Sequence, residues 1–572
     1  MSIANRFRRD FRFARLRAVP GWRWLQIAIV VALHLVALAY MALTELDWFA
    51  KALFLLTWGA LNCFWLLVLR RPAMAAALSL ALFQLIILLS QFKFSILWMT
   101  INFFDVLIID PDTIAFLLTI FPDLRTTLVF IAVLLVPLLV VVWRADPFLV
   151  PRWQAAVGGA ACLAGIVGLS LAKPEQPWEP FQGVNHISGF VRSGAMSVSE
   201  LMTRGWLDVD PNTTERLRAG AGECQPARKP PHVILILDEA SFDIADVPGI
   251  KVPADYARHF QSVDGKIRSL LVEGSGGPTW YTEYNVLTGL STRSYGRFAY
   301  YVTRIAAGHV ERGLPQALRR CGYKTFTLYP AYGAFLSARR FQESAGVERM
   351  IDSKEMKAGD VEPDHFYYDQ ALRLIERERG QPLFVFAYTV ANHFPWDWQF
   401  RPDLTPPDWR PPGNAPEVDE YIRRQMMSAH DYRDFIARLK RDFPDESFLV
   451  VRFGDHQPAL AARIVDPSLD APQIARRVMA NDPRYFTTYY AIDAVNFAPA
   501  DLSSALDTLD AAYLPLAIQE AAGLPLDPTF AEQKKILQRC RGLFGLCAGG
   551  AEARRFNRLL IDAGLIKGLA SR

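Results

Sequence analysis

The sequence predicts an N-terminal bundle of five transmembrane helices joined to an α/β domain with a mostly parallel sheet. Three observations predict it. Five long apolar runs crowd into the first 172 residues. Beyond residue 230, short runs rich in branched residues alternate with helical patterns. The chain is 51% hydrophobic yet 21% charged, with a mean hydropathy of +0.12, as expected when an apolar part is joined to a polar one. At 572 residues it exceeds what a single core accommodates. The apolar content excludes a disordered polymer. Thirty-five Gly, 37 Pro and 6 Cys exclude collagen-like and disulfide-framework classes. A net charge of +4 gives no case for a nucleic-acid partner.

The apolar runs cover residues 25–44, 52–69, 73–90, 127–143 and 155–172. Each approaches the ~20 residues that cross a hydrocarbon core, where only internally hydrogen-bonded elements survive. Basic residues orient them. Arg6, Arg8, Arg9, Arg12, Arg15, Arg17 and Arg23 against Asp10 place the N-terminal arm in the cytoplasm. Glu45-Leu46-Asp47 then falls outside and Arg70-Arg71 inside. The segment 91–125, with Asp105, Asp110, Asp112 and Asp123, falls outside, and Arg144 and Arg152 fall inside. The fifth helix exits, so residues from Lys173 onward are expected outside the inner membrane, in the periplasm. The length of the arm and the lack of a small-residue cleavage pattern argue against a cleaved signal peptide. Segment 91–125 reads as interfacial amphipathic helices, serving either as a lipid-facing platform or as plain packing on the bundle.

Residues 1–172 thus form the expected transmembrane domain, 173–230 a periplasmic linker with one helix near 197–204, and 231–572 an α/β domain. Strands are expected at 232–237, 324–329, 383–389 and 448–453. Helices are expected at 314–321, 367–379 and 420–441, with a basic helix near 551–561. Ligands of such sheets sit at the carboxyl ends of the strands. The first strand ends at Asp238-Glu239, the fourth at Gly454-Asp455-His456. Acids and a histidine at those ends can converge on a divalent cation; manganese, magnesium and zinc all suit such a donor set. Between them, Gly274-Ser-Gly-Gly-Pro-Thr279 can place a hydroxyl at the mouth of the sheet, and a hydroxyl beside a cation becomes a nucleophile.

From about residue 230 to 525 the chain resembles the alkaline phosphatase and sulfatase superfamily. Within it, the chain is similar to membrane phosphotransferases typified by lipoteichoic acid synthase and the phosphoethanolamine transferases. The resemblance rests on Glu239 in ILDEASFD, Thr279 in GPTWYTE, Asn392-His393-Phe394-Pro395, and Asp455-His456 in FGDHQP. It implies that Glu239, Thr279, Asp455 and His456 hold one divalent metal, that Thr279 is the nucleophile, and that His393 contacts the transferred phosphate. Sulfatases carry Cys-x-Pro-x-Arg, with Thr-Gly nine and ten positions after the Cys. Leu287-Thr288-Gly289 puts that slot at Thr279, with Glu283 where the sulfatase Arg would stand. Cys224-Gln-Pro-Ala-Arg228 matches the sulfatase pattern but precedes the first strand and lacks the Leu-Thr-Gly tail. Glycerol-phosphate polymerases use a His, a Trp and an Arg after the next strand; here Tyr329, Leu336 and Arg339 stand there, so Tyr329 and Arg339 are expected substrate contacts. Asp238 is either a second ligand or an outward-pointing carboxylate. His430 and Asp431 read as structural.

The resemblance implies a membrane-anchored, metal-dependent phosphotransferase. It would move a phosphoglycerol or phosphoethanolamine headgroup from a phospholipid donor to a glycan or lipid acceptor through a phospho-threonine. The alternative is a sulfatase-like hydrolase using water. Cys540 with Cys547, and then Cys224 with Cys321, is the disulfide pairing expected outside the membrane, although spacing alone leaves connectivity open.

Overall fold

The computed structural model describes residues 20–97, 99–108, 111–175, 179–217, 224–226, 228–359 and 361–569. Arg6 to Arg17 and Asp110, used above for orientation, lie outside the described residues. The chain divides into two compact units, residues 1–103 with 122–196, and residues 104–121 with 197–572.

In chain order the first helices are α1 (Pro20–Thr44), α2 (Trp48–Leu69), α3 (Pro72–Leu97), α4 (Asp105–Ile108), α5 (Pro111–Ile120), α6 (Pro122–Ala145), α7 (Arg152–Ala172) and α8 (His186–Arg204). Helices α1, α2, α3, α6 and α7 each carry an uncharged apolar window long enough to span a bilayer. Small residues let α2 and α7 approach closely. A Cβ added at Gly59 would lie 2.8 Å from Cys162 Sγ, and one at Gly158 3.1 Å from Cys63 Sγ. Within this unit the loops sort to two ends. Asn185 N donates to Thr44 O (2.8 Å) and Leu46 N to Asn185 Oδ1 (2.9 Å). At the other end, Val150 N donates to Arg70 O (2.9 Å), and Arg71 Nη1 donates to Asp146 O (2.6 Å). Helix α3 runs on to Leu97, into the stretch 91–125 expected to be interfacial, and α4 and α5 follow within that stretch.

The second unit is built on one sheet. Its strands are β1 (His232–Asp238), β2 (Arg268–Leu271), β3 (Lys324–Leu328), β4 (Arg349–Ile351), β5 (Leu383–Thr389), β6 (Phe448–Gly454), β7 (Thr487–Val495) and β8 (Thr508–Asp510). Among the described residues their order is β4-β3-β5-β1-β6-β7-β2-β8, parallel except where β7 runs antiparallel to β6 and β2. Side chains alternate faces along a strand. In β1, Val233, Leu235 and Leu237 enter one buried cluster, while Ile234 and Ile236 enter the other. β5 divides in the same way: Phe384, Phe386 and Tyr388 go to the first cluster, Leu383, Val385 and Ala387 to the second. Both faces are therefore covered, which is why these strands read as continuous apolar runs.

Helices Leu314–Arg320, Asp364–Arg377, Pro416–Asp442 and Ala551–Asp562 stand where helical patterns were expected. Helix α8 begins eleven residues before the expected 197, because Gly189 and Gly194 interrupt its pattern. Residues 206–208, read as free linker, are docked within the second unit: Trp206 N and Leu207 N both donate to Leu569 O (2.7 and 3.1 Å), and Leu207 is buried. Cys224 is bonded to Cys321 and Cys540 to Cys547.

Candidate active site and metal centre

β1 and β6 pair in parallel with Asp238 opposite Gly454. The next residues, Glu239 and Asp455, therefore leave the sheet side by side, and His456 follows. One donor atom from each of Glu239, Asp455 and His456 lies within 4.8 Å of the others, and all three residues are buried. Two local features force this. Ala240 is held at φ 51°, a left-handed conformation that costs a non-glycine residue about 1 kcal/mol. It aims the Ala240 N–H at Asp455 Oδ1 (2.8 Å), and the Tyr421 hydroxyl donates to Ala240 O (2.9 Å). Gly454 is needed because the Ser241 carbonyl passes 1.8 Å from where a Cβ would sit.

Helix α9 (Thr279–Thr288) begins at the predicted nucleophile. Gly276 and Gly277, at φ 79° and 155°, turn the preceding chain. Thr279 Oγ1 donates to Glu239 Oε2 (3.3 Å) and lies 3.4 Å from His456 Nε2. The dipole of the first turn favours negative charge there. Leu287-Thr288-Gly289 is the end of this helix. Gly289 takes φ 68°, and Arg312 packs where its Cβ would be. Glu283 lies one turn beyond Thr279, fully buried, and accepts from Gln342 Nε2 (2.8 Å). Burial pushes its carboxyl up to about 7, against the bonds from Gln342 and Tyr388.

The donor set suits a cation. His456 Nδ1 donates to Gln457 O (2.9 Å), which leaves Nε2 facing Glu239 Oε1 (3.4 Å) and Asp455 Oδ2 (3.3 Å). Asp455 Oδ2 is buried without a hydrogen bond among the described residues. Burial lowers His456, but the Asp455 and Glu239 carboxylates outweigh it and raise the imidazole to about 9. Burial and then the Glu239 charge push Asp455 up to about 7. Burial raises Glu239 too, yet the bond and charge of His456 hold it below its ordinary value. The cluster thus retains a proton that a cation can replace.

The other expected site residues divide. His393 is half-buried. Its Nδ1 lies 2.8 Å from Phe394 O, and its charge reaches Glu239. Tyr329 is buried edge-on against Tyr388 (5.1 Å); burial and then the Glu283 and Glu239 charges raise its phenol. Arg339 does not join the cluster. It bonds Met350 O (2.8 Å), Asp352 Oδ2 (2.9 Å) and Glu355 Oε1 (3.1 Å) at the end of β4, three strands from β1. Asp238 points away from Glu239, as strand alternation demands, and accepts from Tyr489 (2.6 Å) with His259 Nε2 at 3.0 Å. His430 is exposed, and Asp431 accepts from His365 N (2.9 Å).

Two residues near the site were given no role from the sequence. Asn392 is buried beside the Tyr421 hydroxyl, with neither Oδ1 nor Nδ2 hydrogen-bonded among the described residues. Its place before His393 was the signal. Asp364 Oδ1 accepts from Ala391 N (3.0 Å) and so holds the loop carrying His393; nothing in the sequence marked it. The Cys224-x-Pro-x-Arg decoy is closed by the disulfide to Cys321.

A sulfatase family model matches residues 233–484. The capsular polysaccharide biosynthesis protein RkpI of Rhizobium meliloti (strain 1021) is 27% identical over 292 residues, 47% of this chain and 50% of that protein. The chain therefore spans about half the length of this curated relative. Among solved structures, the Streptococcus pyogenes phosphoglycerol transferase GacH, in complex with sn-glycerol-1-phosphate, is 15% identical with a TM-score of 0.46, covering 60% of this chain and 92% of that one. The Neisseria meningitidis lipooligosaccharide phosphoethanolamine transferase A (EptA) is 11% identical with a TM-score of 0.44, covering 83% and 95%. The Listeria monocytogenes lipoteichoic acid synthase LtaP is 17% identical with a TM-score of 0.40, covering 57% and 78%. The family match opens on β1 and closes beyond His456, taking in the whole cluster, so residues 233–484 are similar to the sulfatase family.

Proposed function

We propose that this protein is a membrane-anchored phosphotransferase that moves a phosphoglycerol or phosphoethanolamine headgroup from a phospholipid to a glycan or lipid acceptor. The observation that carries the reading is the Thr279 hydroxyl at the head of α9, hydrogen-bonded to Glu239 and 3.4 Å from His456. Residues 1–172 anchor the chain in the inner membrane with the arm in the cytoplasm. Residues 173–230 lead out, and 231–572 act in the periplasm, where both disulfides persist.

Glu239, Asp455, His456 and the Thr279 hydroxyl would hold one divalent ion, manganese, magnesium or zinc. Such an ion supplies Lewis-acid stabilisation of the developing charge. Thr279 Oγ1 attacks the headgroup phosphorus, and its proton leaves toward Glu239 Oε2, which already accepts it. The bond from phosphorus to the glyceride oxygen breaks, and His393 protonates the departing diacylglycerol. The acceptor hydroxyl then attacks the phospho-threonine and gives its proton to His393, while Thr279 Oγ1 leaves and takes back the proton held on Glu239. Tyr329 packs the floor beneath the headgroup.

The test is turnover by the full chain in liposomes of phosphatidylglycerol or phosphatidylethanolamine. Diacylglycerol is expected to form, to stop on chelation, and to be absent with Glu239→Gln. Headgroup release as fast without an acceptor as with one would establish the hydrolase instead. No release from either lipid by metal-loaded protein would overturn the reading.

A further inference from the structure

Helices α4 and α5 lie between α3 and α6, both long and apolar enough to span a bilayer, and neither α4 nor α5 is long enough to cross one. A chain that leaves the bilayer after α3 and re-enters at α6 is tethered to one membrane surface at both ends. Yet this stretch packs as part of the second unit, residues 104–121 with 197–572. Phe104 is buried against Phe298 (5.0 Å) and Tyr301 (5.6 Å), and the Tyr301 hydroxyl donates to Asp105 Oδ1 (3.4 Å). Helix α5 packs against the turn Phe335–Ser337.

Contacts run on from there to the nucleophile. The Tyr300 ring meets Tyr301 at 5.3 Å and Trp280 at 5.0 Å, and Trp280 Nε1 donates to Tyr300 O (2.8 Å). Trp280 is half-buried and follows Thr279 in the first turn of α9.

The outer side of these elements is apolar. Val106 on α4 is 50% exposed and Ile114 on α5 45%. Residues 197–204 of α8 reverse the pattern of a water-facing helix. Ser197 is buried, and Glu200 pairs with Arg297 (2.9 Å). Val198 and Met202, one turn apart on one face, are 51% and 81% exposed. Just past α8, Trp206 packs on Phe104 (6.2 Å) and Phe298 (5.0 Å), so the end of α8 lies beside α4. Water penalises apolar side chains turned outward in this way, and lipid does not. Continuity with α3 and α6 selects the occupant, because the leaflet at which those two spans end is already tied to α4 and α5.

We propose that the face formed by α4, α5 and residues 197–204 of α8 is seated in the adjoining lipid leaflet, so that the donor lipid reaches Thr279 from that leaflet, past Trp280, without its acyl chains entering water. This rests on the transferase reading and adds where the donor enters.

The test places the full chain, carrying Cys63→Ala and Cys162→Ala, in liposomes of phosphatidylcholine with phosphatidylglycerol and phosphatidylethanolamine. A nitroxide is attached at Val106→Cys, Ile114→Cys or Met202→Cys; the other four cysteines are closed as disulfides. Power-saturation EPR compares collisions with oxygen, which partitions into lipid, and with a water-soluble nickel chelate. Oxygen is expected to dominate at all three positions. Nickel should dominate at Arg373→Cys, exposed on the helix that covers the opposite face of the sheet. Nickel dominating at any of the three would overturn the inference. So would dipolar broadening between labels on different copies, which would make a second copy the occupant. In parallel, Ile114→Asp with Met202→Asp is expected to raise KM for long-chain donor about tenfold, as two apolar anchors are lost. Turnover of a dihexanoyl donor, soluble as a monomer, should keep the wild-type kcat/KM. An unchanged long-chain KM, or equal loss on both donors, would overturn the inference. If wild type turns over both donors while nickel reaches the face, only the inference falls; if it turns over neither, the transferase reading falls.

Discussion

At the scale of single residues, the account turns on a hydroxyl, two carboxylates and an imidazole. Thr279→Ala is expected to lower turnover by about 10⁴-fold or more, whereas Thr279→Ser should keep most of it, since only the oxygen reacts. Diacylglycerol release measures both. This cluster was legible because Glu239, Thr279, Asp455 and His456 each follow a strand or a glycine turn, and strand ends are where such sheets do chemistry. Asp238 was not resolved by sequence. Adjacent strand residues face opposite ways, and only the pairing of Tyr489 and His259 with Asp238 shows which of the two acids turns inward. Arg339 misled because it was matched to the arginine that glycerol-phosphate polymerases carry after this strand. The partners that engage it, Asp352 and Glu355, lie beyond a strand of three residues too short to read.

At the scale of elements, the carboxyl ends of β1 and β6 are set by one close approach. Gly454→Ala would drive a methyl into the Ser241 carbonyl. Its expected cost is about 3 kcal/mol or more in denaturant unfolding, with loss of bound metal. The His393 loop is held through Asp364, and its burial, then the Asp238 charge, push that carboxyl up to about 8 from 3.8. The folded state then keeps a proton that the unfolded state releases. Asp364 therefore contributes stability below about pH 4 that is lost as pH rises toward 8, by up to about 1.4 kcal/mol per unit. Asp364→Asn is expected to flatten that part of the stability–pH profile relative to wild type; an unchanged slope would contradict it. The long strands and helices were legible from period and burial. β7 was not, because Thr487-Thr-Tyr-Tyr opens it with polar atoms, and its antiparallel place between β6 and β2 comes from tertiary pairing.

At the scale of the whole molecule, the division into membrane and α/β parts was plain in composition, because lipid and water select opposite residue patterns. Alternation of charged loops foretold which loops share an end, and the contacts of Thr44 with Asn185 and of Arg70 with Val150 agree with it. The disulfide pairing expected from the sequence is the one observed. Its consequence is quantitative: the Cys224–Cys321 bridge spans 97 residues and the Cys540–Cys547 bridge 7. Loop-closure entropy then assigns about 4.7 and 2.4 kcal/mol. Replacing the first pair with serines should cost about 2 kcal/mol more than replacing the second, as read from unfolding in urea.

The most direct measurement is intact mass spectrometry of the metal-loaded full chain after incubation with phosphatidylglycerol or phosphatidylethanolamine. The account predicts a gain equal to the phosphorylated headgroup, located on Thr279 by peptide mapping and absent from Thr279→Ala. An adduct on another residue, or none with either lipid while metal is bound, would contradict it.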